Sequence, residues 1–183
     1  CSQSLQFTVG RTAVKTIIPL MIIPPEHIEI ERKFLVKTLP DLSQAHKKYI
    51  HQGYITHTND SVEVRLRQKE QHFFITVKSG CGMVRNEHEI SVDQQQFETL
   101  WPETQFRRIE KHRWTGQLGT QTFELDIFMG ELKPLMLVEI EFSSIEEADN
   151  FQPADWFGRE VTLDKLYKNK ALAVNPQAIE ANE

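Results

Sequence analysis

The sequence predicts an α+β protein in which antiparallel strands close into a barrel with helices packed on its outside. Period-two alternation recurs along most of the chain, so residues i and i+2 share one face of a strand and the residues between them share the other. Charged side chains gather on one of those faces and apolar ones on the other. Glycine-marked turns and a few capped, helix-patterned stretches separate the alternating segments.

Taken in order, 27–35 sets Glu29, Glu31 and Lys33 on a face backed by Ile28, Ile30 and Phe34. Segment 61–68 aligns Glu63, Arg65 and Arg67 against Val62, Val64 and Leu66, and 73–78 ends its alternation on Lys78. Segment 83–90 aligns Arg85, Glu87 and Glu89, 109–114 aligns Lys111 with Arg113, 123–128 aligns Glu124 with Asp126, and 137–142 aligns Glu139 with Glu141. Gly80 and Gly82 around Cys81, and Gly116 with Gly119, are read as hairpin turns.

Helices are expected over 41–51, 93–101, 145–150 and 165–174, opened by Asp41, Asp93, Ser144 and Asp164, whose side chains can accept from free backbone N–H groups. Ser144 and Glu147 have capping-box spacing. Leu42, Ala45, Tyr49 and Ile50 in the first helix, and Phe97, Leu100 and Trp101 in the second, need a surface to cover. The apolar backs of the strands supply it, which puts helices outside and charge inside.

A length of 183 residues suits one domain, placed at 27–174. Residues 1–26 are set apart as an N-terminal extension, with Met21 the first methionine, and 175–183 read as a frayed tail. Cys1 and Cys81 make neither a disulfide framework nor a zinc spacing, which points to a reducing compartment and a cytoplasmic location. The apolar run 17–23 contains Pro19 and is far short of the roughly 20 residues that span a bilayer. A net charge of −5 weighs against a nucleic-acid partner, and no membrane partner is expected.

One Glu-x-Glu pair on a strand usually marks a solvated face. Here acidic pairs recur on four segments as Glu29/Glu31, Glu87/Glu89, Glu124/Asp126 and Glu139/Glu141, while Arg65/Arg67, Lys78 and Lys111/Arg113 occupy others. Mixed salt-bridge ladders are one reading of such faces. The functional reading is a tunnel that holds divalent cations and phosphate together: carboxylates suit hard ions such as Mg²⁺ or Mn²⁺, Arg binds phosphate oxygens in pairs, and Lys adds point charge. Phosphoanhydride cleavage needs positioning and charge stabilisation more than covalent chemistry by the protein. His27, His51, His72, His88 and His112 have no ligand spacing and are assigned to surface or packing, as are Tyr54 and Tyr167 to packing.

The run Glu29-Ile-Glu-Arg-Lys-Phe-Leu-Val resembles the Glu-x-Glu-x-Lys signature of the CYTH superfamily, the triphosphate tunnel metalloenzymes. The resemblance continues in order through Gln52-Gly-Tyr, Val62-Glu-Val-Arg-Leu-Arg, Ile75-Thr-Val-Lys-Ser-Gly, Arg85-Asn-Glu-His-Glu, Ile109-Glu-Lys-His-Arg-Trp, Val138-Glu-Ile-Glu-Phe, Gly158-Arg-Glu-Val-Thr and Tyr167-Lys-Asn-Lys-Ala-Leu-Ala. It implies an eight-stranded closed barrel and, by likeness to the short bacterial members, hydrolysis of inorganic triphosphate with Mg²⁺ or Mn²⁺. By the same likeness Glu29, Glu31, Glu139 and Glu141 hold metal, with Asp126 or Glu124 as additions, and these four glutamates with Lys33 form the catalytic set. Lys33, Arg65, Arg67, Lys78, Arg85, Lys111 and Arg113 are the implied triphosphate contacts, supported by Glu87 and Glu89. Arg113-Trp114 stands where the family commonly has Arg-Tyr, and Asp126-Ile-Phe128 also departs from its pattern; neither removes a needed charge pair. Class IV adenylyl cyclase and thiamine triphosphatase activities remain alternatives, as does a noncatalytic polyphosphate-binding module. The implied partner is a small-molecule triphosphate, and a homodimer is left open.

Overall fold

The computed structural model of the chain describes residues 30–79 and 86–178. Nine strands form one sheet: β1 (Ile30–Val36), β2 (His46–Tyr54), β3 (Val62–Lys69), β4 (His72–Ser79), β5 (Asn86–Val92), β6 (Arg108–Leu118), β7 (Gln121–Phe128), β8 (Met136–Phe142) and β9 (Phe157–Glu160). The strand order is β5-β4-β3-β2-β6-β7-β8-β1-β9, antiparallel at every junction. Among the described residues the sheet therefore has nine strands where eight were expected. Among the described residues no ladder joins β5 to β9, so hydrogen bonding does not close the sheet into a ring. No helix among these residues is long and apolar enough to cross a membrane.

The added strands lie where the alternation is weak. Strand β2 replaces most of the helix expected over 41–51. Leu42, Ala45, Tyr49 and Ile50 have helical spacing, but Tyr49 and Ile50 prove to lie on opposite faces of a strand hydrogen-bonded on both sides, to β3 and to β6. Tertiary pairing overrides the local pattern. The Asp41 carboxylate accepts from the Ser43 N–H at 2.9 Å, making a turn instead of a helix start. Strand β9 spans four residues, too few for periodicity to register.

Two helices match their expected places. α1 (Gln94–Leu100) starts at Asp93, which accepts from the Gln96 N–H at 2.7 Å while the Gln96 side chain accepts from the Asp93 N–H at 3.0 Å. α2 (Ile145–Asn150) starts at Ser144, which accepts from the Glu147 N–H at 3.1 Å; the Glu147 carboxylate turns to the Ser143 N–H instead of closing the box on Ser144. The single helix expected over 165–174 is interrupted at Lys168, whose backbone is extended, leaving a 3-10 turn at Lys165–Tyr167 and α3 (Asn169–Val174). Pro176–Ala178, assigned to the tail, forms another 3-10 turn.

Apolar packing divides in two. On the outer face, Phe34, Val36, Phe123, Leu125, Val138, Ile140 and Phe142 are buried with Ala148 of α2 and Phe157 of β9. Arg32 fastens this layer from β1, donating to Glu160 at 2.6 and 3.0 Å and to the Ala148 carbonyl at 2.9 Å. The second cluster joins Tyr54, Ile109, Phe128, Leu137 and Leu35 to Val161, Tyr167, Leu172 and Ala173. Pairing register puts Tyr54, Ile109, Phe128 and Leu137 on the face that carries the charge, since directly opposed residues share a face. α3 thus covers one end of the charged face, a correction to the expectation that all helices lie outside; α1 and α2 do lie outside.

Gly116, read as a turn, sits inside β6. A Cβ there would lie 2.6 Å from the Phe123 ring, so only glycine admits that neighbour. Gly119, at φ +62°, makes the turn into β7. Gly80, Gly82 and Cys81 lie outside the described residues.

Candidate active site

Register assembles the charged residues into rows across one face. Glu31 faces Glu141, and Lys33 faces Glu139, which faces Glu124 on its other side. Arg113 faces Asp126, Arg65 faces Thr76, which faces Glu89, and Lys78 lies between Glu63 and Glu87. Every described member of the sequence-derived set is on this face. Glu29 and Arg85, and His27 with them, lie outside the described residues.

The first cluster is carried by β1, β6, β7 and β8. Arg113 grips Asp126 with two parallel bonds, Nε to Oδ1 and Nη2 to Oδ2, each 2.7 Å. It also pairs with Glu124, and reaches Glu139 at 3.3 Å. Lys111 Nζ donates to Asp126 Oδ2 at 2.5 Å and to Asn169 Oδ1 at 3.2 Å, and Lys33 meets Glu139 at 2.7 Å. Lys111 and Asp126 are only 1% and 2% exposed. Charge this deep survives only when paired.

The titration of these groups follows from that pairing. Burial would raise the Asp126 carboxyl, but Arg113 and Lys111 hold it down to about 2. Burial would likewise raise Glu139, and Lys33 with Arg113 keeps it below the ordinary range. Burial pushes the Lys111 ammonium down, more than Asp126 pulls it up. Arg113 and Lys33 are held above their ordinary values against burial, the first chiefly by Asp126 and the second by Glu139.

The second cluster, on β3, β4 and β5, is looser. Arg65 stands 3.6 Å from Glu87 and 3.5 Å from Glu89, Arg67 stands 3.7 Å from Glu89, and Lys78 contacts Glu87 at 2.6 Å. Thr76, fully buried, accepts from Arg65 at 3.1 Å and donates to Glu89 at 2.8 Å. The Nε atoms of Arg65 and Arg67 are buried without a hydrogen-bond partner. A buried guanidinium N–H left unmatched is costly unless a ligand supplies an acceptor.

Residues 27–161 match the CYTH domain family. The chain belongs to the CYTH family. An inorganic triphosphatase of Nitrosomonas europaea is 55% identical over 148 residues, spanning 80% of this chain and 97% of that one. Another, of Acetivibrio thermocellus, is 37% identical over 151 residues, spanning 81% and 94%. A crystal structure of an inorganic triphosphatase aligns with a TM-score of 0.67 at 54% identity, over 80% of this chain and 94% of that chain. A Pyrococcus horikoshii protein at 22% identity and a TM-score of 0.50 shares the fold.

CYTH tunnel enzymes depend on a metal, and the donors here are of the right kind. Glu31, Glu141, Glu139 and Glu124 offer only oxygen, and they face one another in pairs across adjacent strands. No group of three or more His, Cys, Asp or Glu side chains among the described residues is already gathered as a metal cage. Mg²⁺ does not need one, since it takes one or two carboxylates and completes its shell with water and substrate oxygens.

Several residues on this CYTH face were missed. Thr76 alternates with Lys78 on β4 and was legible from that spacing. Gln52, 2% exposed, donates to the Tyr54 hydroxyl at 2.9 Å from a strand mistaken for a helix edge. Asn169 reaches Lys111 from α3, a contact that sequence periodicity does not reveal. Tyr54 and Tyr167 are packed as expected, the latter accepting from Arg159 at 3.0 Å. His51 packs on Trp101 at 4.4 Å and His112 on Tyr49 at 5.8 Å, both away from the charged face.

Proposed function

We propose that this chain hydrolyses inorganic triphosphate to diphosphate and phosphate within its CYTH domain. Two curated triphosphatases spanning nearly their whole length support the reading, and the observation that carries it is the unspent hydrogen-bonding capacity of Arg65 and Arg67 on the charged face. In this assignment Arg65, Arg67, Lys78, Arg113 and Lys33, with Lys111 and Arg85, take the phosphate oxygens, while Glu87 and Glu89 keep Arg65 and Arg67 aimed. Glu29, Glu31, Glu139 and Glu141, with Asp126 or Glu124, would hold Mg²⁺ or Mn²⁺. The metal, when bound, neutralises phosphate charge and activates water.

The protein's own part is electrostatic positioning. Asp126 fixes the Arg113 guanidinium with two bonds, so its remaining N–H groups face a set direction. Lys33 keeps its proton and hence its charge for phosphate. Such prepaid orientation is effective where water is scarce. The scarcity of solvent at Thr76 on β4, Asp126 on β7 and Lys33 on β1, strands spread along the sheet order, supports a face that curves into an enclosed barrel. A domain spanning 27–174 and a cytoplasmic setting complete the proposal.

Purified protein should release phosphate from triphosphate in the presence of Mg²⁺ or Mn²⁺ and not without a divalent ion. A folded protein that releases none across a metal screen overturns the assignment. Parallel assays for cyclic AMP and thiamine diphosphate distinguish the related activities. Lys33→Ala or Arg65→Ala should weaken binding, whereas Glu141→Gln should mainly lower metal-dependent turnover. Tight binding without turnover, unchanged in Glu29→Gln and Glu31→Gln variants, would mark a noncatalytic module.

A further inference from the structure

The charged face carries two cations that the assignment above does not use. Register places Lys48 of β2 directly opposite Arg113, and Lys69 of β3 opposite Ile50, which is itself opposite Lys111. Both lysines therefore share the face of the phosphate-binding set. Lys33, Arg65, Arg67, Lys78, Lys111 and Arg113 each have a carboxylate partner. Among the described residues Lys48 has none, and Lys69 rests its ammonium 5.3 Å from the centre of the Phe74 ring.

Exposure rises along two lines that lead to these lysines. On the β6–β2 side the side chains go from Lys111 at 1% to Arg113 at 15% and then to exposed Lys48. On β3 they go from Arg65 at 8% to Arg67 at 13% and then to half-buried Lys69. Both lines run away from the end closed by Leu172 and Tyr167. Unmatched positive charge at the open end of a walled, charged site concentrates polyanions there and speeds their capture.

Resting on the triphosphatase reading, we propose that Lys48 and Lys69 form a capture station that draws the polyanionic substrate to the open end of the site and passes it inward to Arg113 and Arg67. They act on association and leave the reacting atoms to the inner residues. Lys47 supplies an internal control. It adjoins Lys48, is also exposed, and points to the opposite face, where its ammonium lies 5.6 Å from the centre of the Trp114 ring.

The test compares Lys48→Glu, Lys48→Glu/Lys69→Glu and Lys47→Glu, measuring triphosphate turnover and calorimetric binding of triphosphate from about 0.02 to 0.5 M salt. The double variant should lose on the order of tenfold in kcat/KM at low salt with kcat retained, and the difference should shrink as salt screens the charges. Lys48→Glu alone should lose several-fold, Lys47→Glu should stay near wild type, and Lys48→Arg/Lys69→Arg should keep wild-type values. Equal salt slopes in wild type and double variant, equal losses in Lys47→Glu and Lys48→Glu, or a loss confined to kcat would overturn the proposal. Wild-type turnover with no effect of the lysines sinks the capture station alone, whereas a wild-type chain that neither binds nor hydrolyses triphosphate sinks it together with the functional reading.

Discussion

Lys111 and Asp126 are almost without solvent and, with Arg113, are joined by contacts of 2.5–2.7 Å, whereas Arg65 and Arg67 meet Glu87 and Glu89 at 3.5–3.7 Å with those carboxylates about 30% exposed. The same residue types do different work in the two places. In the tight cluster each charge is held by the others, and the geometry is fixed before any ligand arrives. In the loose cluster the Nε atoms of Arg65 and Arg67 have no acceptor, so the proposed phosphate contact there would not first have to break short ion pairs. One half of the site supplies rigidity and the other supplies capacity.

Removing Asp126 should break that contrast most severely. Asp126→Ala leaves Lys111 and Arg113 buried without their common partner, and an uncompensated buried charge costs about 3–5 kcal/mol. Glu87→Ala, removing a carboxylate whose side chain is 31% exposed, should cost under about 1 kcal/mol. Urea unfolding of the two variants measures both, and equal losses would show that the clusters are not energetically distinct.

A second probe acts on binding. Arg65→Ala removes a guanidinium from the loose cluster, and hydrogen bonds to charged groups contribute about 1.5–3 kcal/mol, or roughly 10- to 100-fold in triphosphate affinity. Its unfolding midpoint should move much less than that of Asp126→Ala. Calorimetric titration with triphosphate checks the affinity, and a binding constant like that of wild type would remove Arg65 from the site.

Acid sharpens the comparison from the other side. The Asp126 carboxyl lies at about 2 in the folded chain against an ordinary 3.8, so its contribution to stability is complete above pH 4 and is lost as the pH falls through about 2. The size is on the order of 2 kcal/mol. The carboxyl ¹³C signal of Asp126 followed by NMR should still report the charged form at pH 3. Protonation of Asp126 above pH 4 would mean that Arg113 and Lys111 do not hold it as the geometry requires.

Which parts of this arrangement were legible in the sequence follows from how each strand is packed. β1, β3, β7 and β8 have an apolar back and a charged front, so Glu31/Lys33, Arg65/Arg67, Glu124/Asp126 and Glu139/Glu141 announced both strand and face. β2 buries Ile50 and Gln52 on the charged face and packs Tyr49 and His51 on the other, which erases the alternation and hid both the strand and Lys48. The α3 cover over the charged face was equally hidden, because Leu172 has the same local pattern whichever surface it meets. Charge sorting therefore showed which residues share one face, while the apolar cover at its end required coordinates.

Thr76→Val offers the smallest and most selective perturbation. The two side chains are nearly the same size, so the buried site is not emptied, but the hydroxyl that accepts from Arg65 and donates to Glu89 is gone. The change strips Arg65 Nη2 of its 3.1 Å acceptor and should cost about 1 kcal/mol in stability. Its effect on triphosphate should be the informative part. If Thr76 serves to aim Arg65, affinity falls several-fold while Lys111 and Asp126 stay paired and the acid transition keeps its position. If the loss appears only in the urea midpoint and triphosphate binds as tightly as before, the loose cluster orients itself on the ligand, and its capacity does not depend on the hydroxyl beneath it.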